Sequence, residues 1–314
     1  MVGLLLGVLS AILWVALDAM RKDISEDVPP SGLLVGLHWP QLPLLLLLLV
    51  WGSWRPGTGA PDDPWTLMVG SGGVPAQALE WSYLAPASVA LIFALVANLL
   101  FLRAVQLSPL SLTIPYLSFT PIFSAIGAFI IDGEAPTPWG WLGIAIVSGG
   151  AFLLNPGDRD QGLMAPLKAI WTERGSLYML GVAFCWSVTA VVDSRAAGVT
   201  SATWHTLMLT LGILASVVVY RLVRDRSARP LLSELRQRTG FQATAGLMLL
   251  GAMVIQMTAY NILGVAYVET LKRAAGVVGS IVLGYLFFGE TDLGQRLVAA
   301  LIISVGVAIL ILGG

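Results

Sequence analysis

Charged side chains are scarce in this chain: 17 Lys and Arg and 18 Asp and Glu make up 11% of 314 residues. A soluble domain carries about a quarter, because charge is what covers a surface in water, so most of this surface does not face water. Cysteine is nearly absent. The one residue, Cys185, cannot close an internal disulfide and reads, between Phe184 and Trp186, as a buried apolar thiol. The two histidines, His38 and His205, have no nearby cysteine or paired carboxylates, which excludes a metal site read from spacing. A net charge of −1 and the lack of a basic, aromatic-laced patch exclude a nucleic-acid partner. No nucleophile–base pair or phosphate-cradling glycine loop occurs, so neither an enzyme nor a cofactor is indicated. Nor do apolar and polar residues alternate, as they must in a membrane barrel.

Present instead are long apolar runs, in a chain that is 57% hydrophobic. A hydrocarbon layer of roughly 30 Å demands about 20 such residues per helix. The runs predict an all-α membrane protein with ten spans, near 2–20, 31–52, 83–105, 109–131, 138–154, 177–195, 202–223, 243–264, 268–288 and 294–312. The first run has no basic residue before it and no small-residue cleavage site after it, so it is expected to be a retained span and not a signal peptide. Pro29-Pro30, Ser108-Pro109, Pro136 to Pro138 and Asn155-Pro156-Gly157 punctuate the helices. Ser53 to Ser82, rich in Gly and Pro, reads as a loop.

The two halves resemble each other. YLSFTPIFSAIGAFIIDGE (Tyr116–Glu134) aligns with KRAAGVVGSIVLGYLFFGE (Lys272–Glu290), each closing an apolar helix on Gly-Glu. Sixteen residues beyond Gly-Glu, Gly150 matches Gly306, with Ser148 against Ser304, so the spacing between the copies stays at 156. Trp14 and Trp186 fit the scheme at a different offset. The reading is a duplicated five-span unit: 1–155, a connecting loop over 156–176, and 177–314. An odd span count inverts the second copy, and inverted repeats are how many carriers build two gates around one midplane site.

These helix-Gly-Glu-helix segments, above all AYVETLKRAAGVVGSIVLGYLFFGE from Ala266 to Glu290, resemble the EamA-type repeats of the drug/metabolite transporter superfamily, over nearly the whole chain. The resemblance implies a ten-helix carrier whose cavity is lined by the first, third, fourth, sixth, eighth and ninth spans. It also implies that a basic residue or Lys-Arg pair on the ninth span contacts an anionic group, a place that Lys272-Arg273 occupies. Many members follow the pair with hydroxyl residues; here Ala274-Ala275-Gly276 stands, without side-chain donors.

Several side chains are candidates for a site. A guanidinium fork and an ammonium suit phosphate or carboxylate, so Lys272 and Arg273 are expected to hold an anion; the alternative is that they snorkel at a helix end. Glu269 shares their face and can neutralise them. Gln256, Tyr260 and Asn261, Asn98, and Tyr116 and Thr120 supply uncharged polar groups at membrane depth, either for a ligand or as glue between helices. Trp14 and Trp186 are expected to shape the pocket. Asp18 and Glu269 are candidate proton carriers, since an intramembrane carboxylate usually has a partner or a cavity; His38 and His205 join them because imidazole titrates near neutral pH. Packing beside Trp39 and Trp204 is the plain alternative for both histidines. Asp193 is expected to pair with Arg195. Pro115 and Pro121 are expected to interrupt the fourth helix. Glu134 and Glu290 read as caps on the helices that follow them.

Thirteen of the 17 basic residues fall after odd-numbered spans, which by the positive-inside rule places both termini outside the cytoplasm; the family habit implied by the resemblance is the reverse. The expected function is a secondary carrier that moves a small polar or anionic metabolite by alternating access in a cell membrane, a bacterial inner membrane first of all. The expected partners are membrane lipid and the small-molecule substrate, and a homodimer stays open. An exporter of amphiphilic drugs or amino acids is the nearest alternative. An intramembrane enzyme or a lipid scramblase represents a different class.

Overall fold

The computed structural model describes residues 1–24, 28–54, 63–70, 74–107, 114–154, 174–227, 229–288 and 294–313. Among the described residues the regular structure is helical and no strand occurs, as lipid requires, since only a helix satisfies its own N–H and C=O groups within one segment. The elements are α1 (Val2–Ile24), α2 (Pro30–His38), α3 (Gln41–Trp54), α4 (Pro64–Val69), α5 (Trp81–Leu107), α6 (Thr120–Asp132) and α7 (Pro138–Leu154). They continue as α8 (Arg174–Val199), α9 (Ala202–Asp225), α10 (Arg229–Arg236), α11 (Thr239–Leu263), α12 (Val265–Phe288) and α13 (Gly294–Gly313). Five described stretches are long and apolar enough to cross a membrane: Ser31–Trp54, Trp81–Phe101, α8, α9 and α11. Val2–Leu17, Tyr116–Asp132 and Ala300–Leu312 are shorter apolar helices. On α3, Gln41, Leu45, Leu49 and Gly52 point inward, while Leu46, Leu47, Val50 and Trp51 are exposed. A helix that is apolar on both faces belongs in hydrocarbon.

The boundaries depart from the sequence expectations where local chemistry intervenes. The second apolar run is broken into α2 and α3 at Trp39-Pro40, because proline supplies no N–H and crowds the residue before it out of the helical region. Within the expected loop 53–82, Asp63 caps α4 by accepting the Thr66 N–H at 3.0 Å, with Pro64 in the first turn. A 3-10 turn, Ala76–Leu79, follows. Residues 114–119 form another 3-10 turn, and Pro121 starts α6 instead of interrupting it, since a missing N–H in a first turn leaves nothing unsatisfied. Gly133 ends α6 at φ +74, its N–H donating to the Phe129 carbonyl at 3.1 Å. The cap of α7 is Thr137, whose hydroxyl accepts the Gly140 N–H at 2.9 Å, so Glu134 does not cap it. Glu290 lies outside the described residues.

The chain divides into two compact units. Unit 1 comprises Met1–Leu91 and Val192–Ile262, and unit 2 comprises Ile92–Val191 and Leu263–Gly314. Each therefore draws on both halves of the sequence. In unit 1, α2 and α3 pack on α9, and α10 on α2; Leu17, Val28, Leu37, Ala245 and Leu249 form a core around which Trp14 and Met253 pack. In unit 2, α7 runs along α13 and α6 against α12. The α7–α13 seam brings backbone to backbone. A Cβ on Gly143 would meet the Gly306 carbonyl oxygen at 2.8 Å, and one on Gly306 would meet Ile146 at 2.9 Å. Gly150 and Gly306, the glycines that mark the repeat, both lie on this seam.

Candidate functional site

The candidate residues fall into two groups, one in each unit. In unit 2, Glu269, Lys272 and Arg273 occupy successive turns of α12, a spacing that turns Lys272 and Arg273 toward Glu269. Lys272 Nζ lies 2.5 Å from Glu269 Oε1, and that glutamate side chain is 1% exposed. The three side chains together carry one net positive charge. Next to Lys272, Arg273 reaches across to the start of α6, where its Nη2 donates to Thr120 Oγ1 at 3.4 Å. Thr120 Oγ1 donates in turn to the Leu117 carbonyl at 2.7 Å. Ser187 on α8 completes the cluster: its hydroxyl stands 3.1 Å from the Thr120 carbonyl and 2.6 Å from that of Ala183. Sequence reasoning missed Ser187, although it follows Trp186, because a serine inside an apolar helix normally bonds only its own preceding turn.

The other unit 2 candidates sit differently. Trp186 is half-buried and stacks on Phe101 with centroids 6.2 Å apart. Tyr116 is fully buried in an aromatic cluster with Phe119, Phe123 and Phe152 beside Met179. Asn98 donates to the Ala94 carbonyl of its own helix at 2.8 Å.

In unit 1, the Trp14 indole donates to Gln256 Oε1, and Gln256 Nε2 donates to the Tyr260 hydroxyl. Gln256 and Tyr260 are buried. Spacing by four puts both on one face of α11, opposite the tryptophan of α1. The result is a line of uncharged donors and acceptors edged by indole and phenol rings, suited to a polar or aromatic group and not to a bare charge. Asn261, by contrast, is exposed and donates to the Met257 and Ser194 carbonyls at 3.0 and 3.2 Å. The Cβ position of Gly198 on α8 is 2.6 Å from its Oδ1.

Of the proton candidates, His38 is buried, with Nδ1 2.7 Å from the Leu34 carbonyl one turn back on α2. The side chain of Asp18, on α1, lies outside the described residues. His205 is fully buried, and its Nε2 is 2.9 Å from Asp193 Oδ1. This corrects the expected Asp193–Arg195 pair, since Arg195 is exposed two positions further along α8, where a helix turns a side chain away. Tyr83, which sequence reasoning passed over, sets its hydroxyl 3.5 Å from His205 Nδ1.

A second charged cluster was also missed. Arg221, buried near the end of α9, donates from Nη1 to Ser31 Oγ at 2.8 Å and from Nη2 to Glu234 Oε1 at 2.7 Å. Its Nε lies 2.8 Å from Asp225 Oδ2. The arginine thus ties α9, the start of α2 and the surface helix α10 into one joint.

The folded geometry describes helices for lipid, with polar and charged groups held inside them, and sequence comparison places that arrangement in a known class. Residues 1–155 match the EamA-like transporter family. Over that stretch the chain is similar to EamA-type transporters of the drug/metabolite superfamily, which are multi-pass membrane proteins. No curated protein matches it in sequence. One solved structure, described only as the crystal structure of a protein, is 18% identical with a TM-score of 0.62, covering 99% of this chain and 97% of that one. At that identity the likeness is one of fold alone.

Proposed function

We propose that this protein is a secondary carrier that moves a small polar or anionic metabolite by alternating access. In this reading ten spans form two inverted five-helix repeats, 1–155 and 177–314, joined by 156–176, in a cell membrane and most naturally a bacterial inner membrane. The observation that carries the reading is the cluster in unit 2, where Arg273 donates to the Thr120 hydroxyl and Ser187 to the Thr120 carbonyl, beside the Lys272–Glu269 pair. Charged side chains in an apolar bundle are retained where they serve a ligand or an ion. Arg273 would contact the anionic group, with Thr120 and Ser187 orienting it. Lys272, already engaged by Glu269, would adjust the local charge. Trp14, Gln256, Tyr260 and Asn261 in unit 1, and Trp186, Asn98 and Tyr116 in unit 2, are the further substrate-binding residues of this reading.

The Lys272–Glu269 ion pair favours an exporter of amphiphilic drugs or amino acids as a second reading, because it leaves one net cation instead of two. A thermal-shift screen of the purified protein against metabolite classes identifies the substrate, since a ligand of the folded state raises apparent stability. With that substrate in liposomes, flux is expected to saturate and to show counterflow. Arg273→Ala is expected to weaken apparent affinity about tenfold or more, the size of a charged hydrogen bond. Unchanged uptake kinetics in both Arg273→Ala and Lys272→Ala would reject the assigned site, and flux that never saturates would favour a channel or scramblase.

A further inference from the structure

We propose that Asp193, His205 and Tyr83 form a proton-binding site, and that it is the coupling site of the carrier proposed above, on which reading its coupling role rests. The three residues come from three helices of unit 1: the last turns of α8, the first turn of α9 and the first turn of α5. The imidazole is fully buried and the carboxylate 14% exposed, so the carboxylate is the edge from which a proton enters. Each ring nitrogen faces a titratable group, Nε2 the Asp193 carboxylate at 2.9 Å and Nδ1 the Tyr83 hydroxyl at 3.5 Å. The phenol meets the imidazole edge-on, centroids 5.9 Å apart.

The neighbouring elements bring no further charge to the ring among the described contacts. From α4 comes the Met68 carbonyl, which accepts the Thr203 hydroxyl at 2.7 Å, and from α11 the Met257 sulfur, 3.5 Å from the Thr206 hydroxyl. With one proton on the pair, it sits on Nε2 toward an ionised Asp193, and the site holds a net negative charge. A second proton adds to the Nδ1 lone pair and cancels it. Nδ1 then changes from acceptor to donor, so the Tyr83 hydroxyl must turn to accept, and the bond between α5 and α9 is rewritten by one proton.

The chain passes from unit 1 to unit 2 within α5, after Leu91, and returns to unit 1 within α8, after Val191. Tyr83 and Asp193 thus stand on helices within which the chain passes from one unit to the other. The rival carriers are bound otherwise: His38 Nδ1 to a carbonyl of its own helix, and Glu269 to the fixed cation of Lys272.

The chain's two histidines make the test direct. Full-length protein labelled with 13C-histidine gives two imidazole signals, assigned with His38→Gln and followed over about pH 4 to 10. The signal of His205 is expected to change with pH, and to follow a different curve in Asp193→Asn, where the carboxylate that faces Nε2 is gone. Asp193→Glu is expected to restore the wild-type curve, and Tyr83→Phe to move it without abolishing it. A His205 signal that does not titrate, or that titrates identically in Asp193→Asn, overturns the proposal. In liposomes carrying the screened substrate, a pH gradient is expected to drive uptake by wild type but not by Asp193→Asn or His205→Gln; equal driving in those variants also overturns it. Absence of saturable flux in every form would instead refute the carrier reading and leave the His205 titration standing on its own.

Discussion

Arg221 shows how a single side chain sets the energetics of one end of unit 1. Burying a guanidinium is tolerable only when its donors are met, and here Ser31, Asp225 and Glu234 meet them. Arg221→Ala is expected to cost about 3–5 kcal/mol, since it removes the buried cation that Asp225 and Glu234 share. Arg224→Ala, on a side chain 65% exposed and 3.9 Å from Asp225, should cost less than about 1 kcal/mol. Chemical unfolding of the two variants in the same detergent measures the contrast. Little of this was legible in the linear order. Cys185 announced its burial through its neighbours, and the i, i+3 spacing of Glu269 and Lys272 announced their pair. Trp14 and Gln256 stand 242 positions apart, and Asp193 reaches His205 across the break between α8 and α9. Local patterns do not carry such partners, and the nearest cation in the sequence, Arg195, was the wrong one.

Helices were the most legible level, because apolar runs of spanning length leave the backbone no other way to satisfy itself in lipid. What the runs concealed were interruptions made by single residues, such as the Trp39-Pro40 break and the 3-10 turn before α6. Glycine acts in two separate ways in unit 2. At Gly133 the requirement is conformational: φ is +74, and a Cβ there would find nothing within 4 Å. At Gly143 it is steric, because a Cβ would stand 2.8 Å from the Gly306 carbonyl. Gly133→Ala should therefore cost about 1 kcal/mol of left-handed strain, and a thermal-denaturation series would show a small shift. Gly143→Leu must part α7 from α13, and should cost about 3 kcal/mol or more as an overpacked seam.

For the molecule as a whole, each compact unit gathers its residues from both halves of the chain, and no periodicity in the sequence foretells that. The expected ten-span topology makes one firm prediction about sidedness. In a Cys185→Ser background, cysteines placed at Val2 and at Arg229 should react with a membrane-impermeant maleimide from opposite faces of intact vesicles. Labelling of both from the same face would remove a span from the count. The seam between α7 and α13 has a consequence of its own. Residues 1–155 are the stretch that matches the EamA-like family, yet α7 packs most extensively on a helix that begins only at residue 294. Expressed alone, that fragment would offer lipid a bare glycine groove. Produced together as two separate polypeptides, 1–155 and 156–314 should find each other in the bilayer and co-purify, as two parts of one object that was never two.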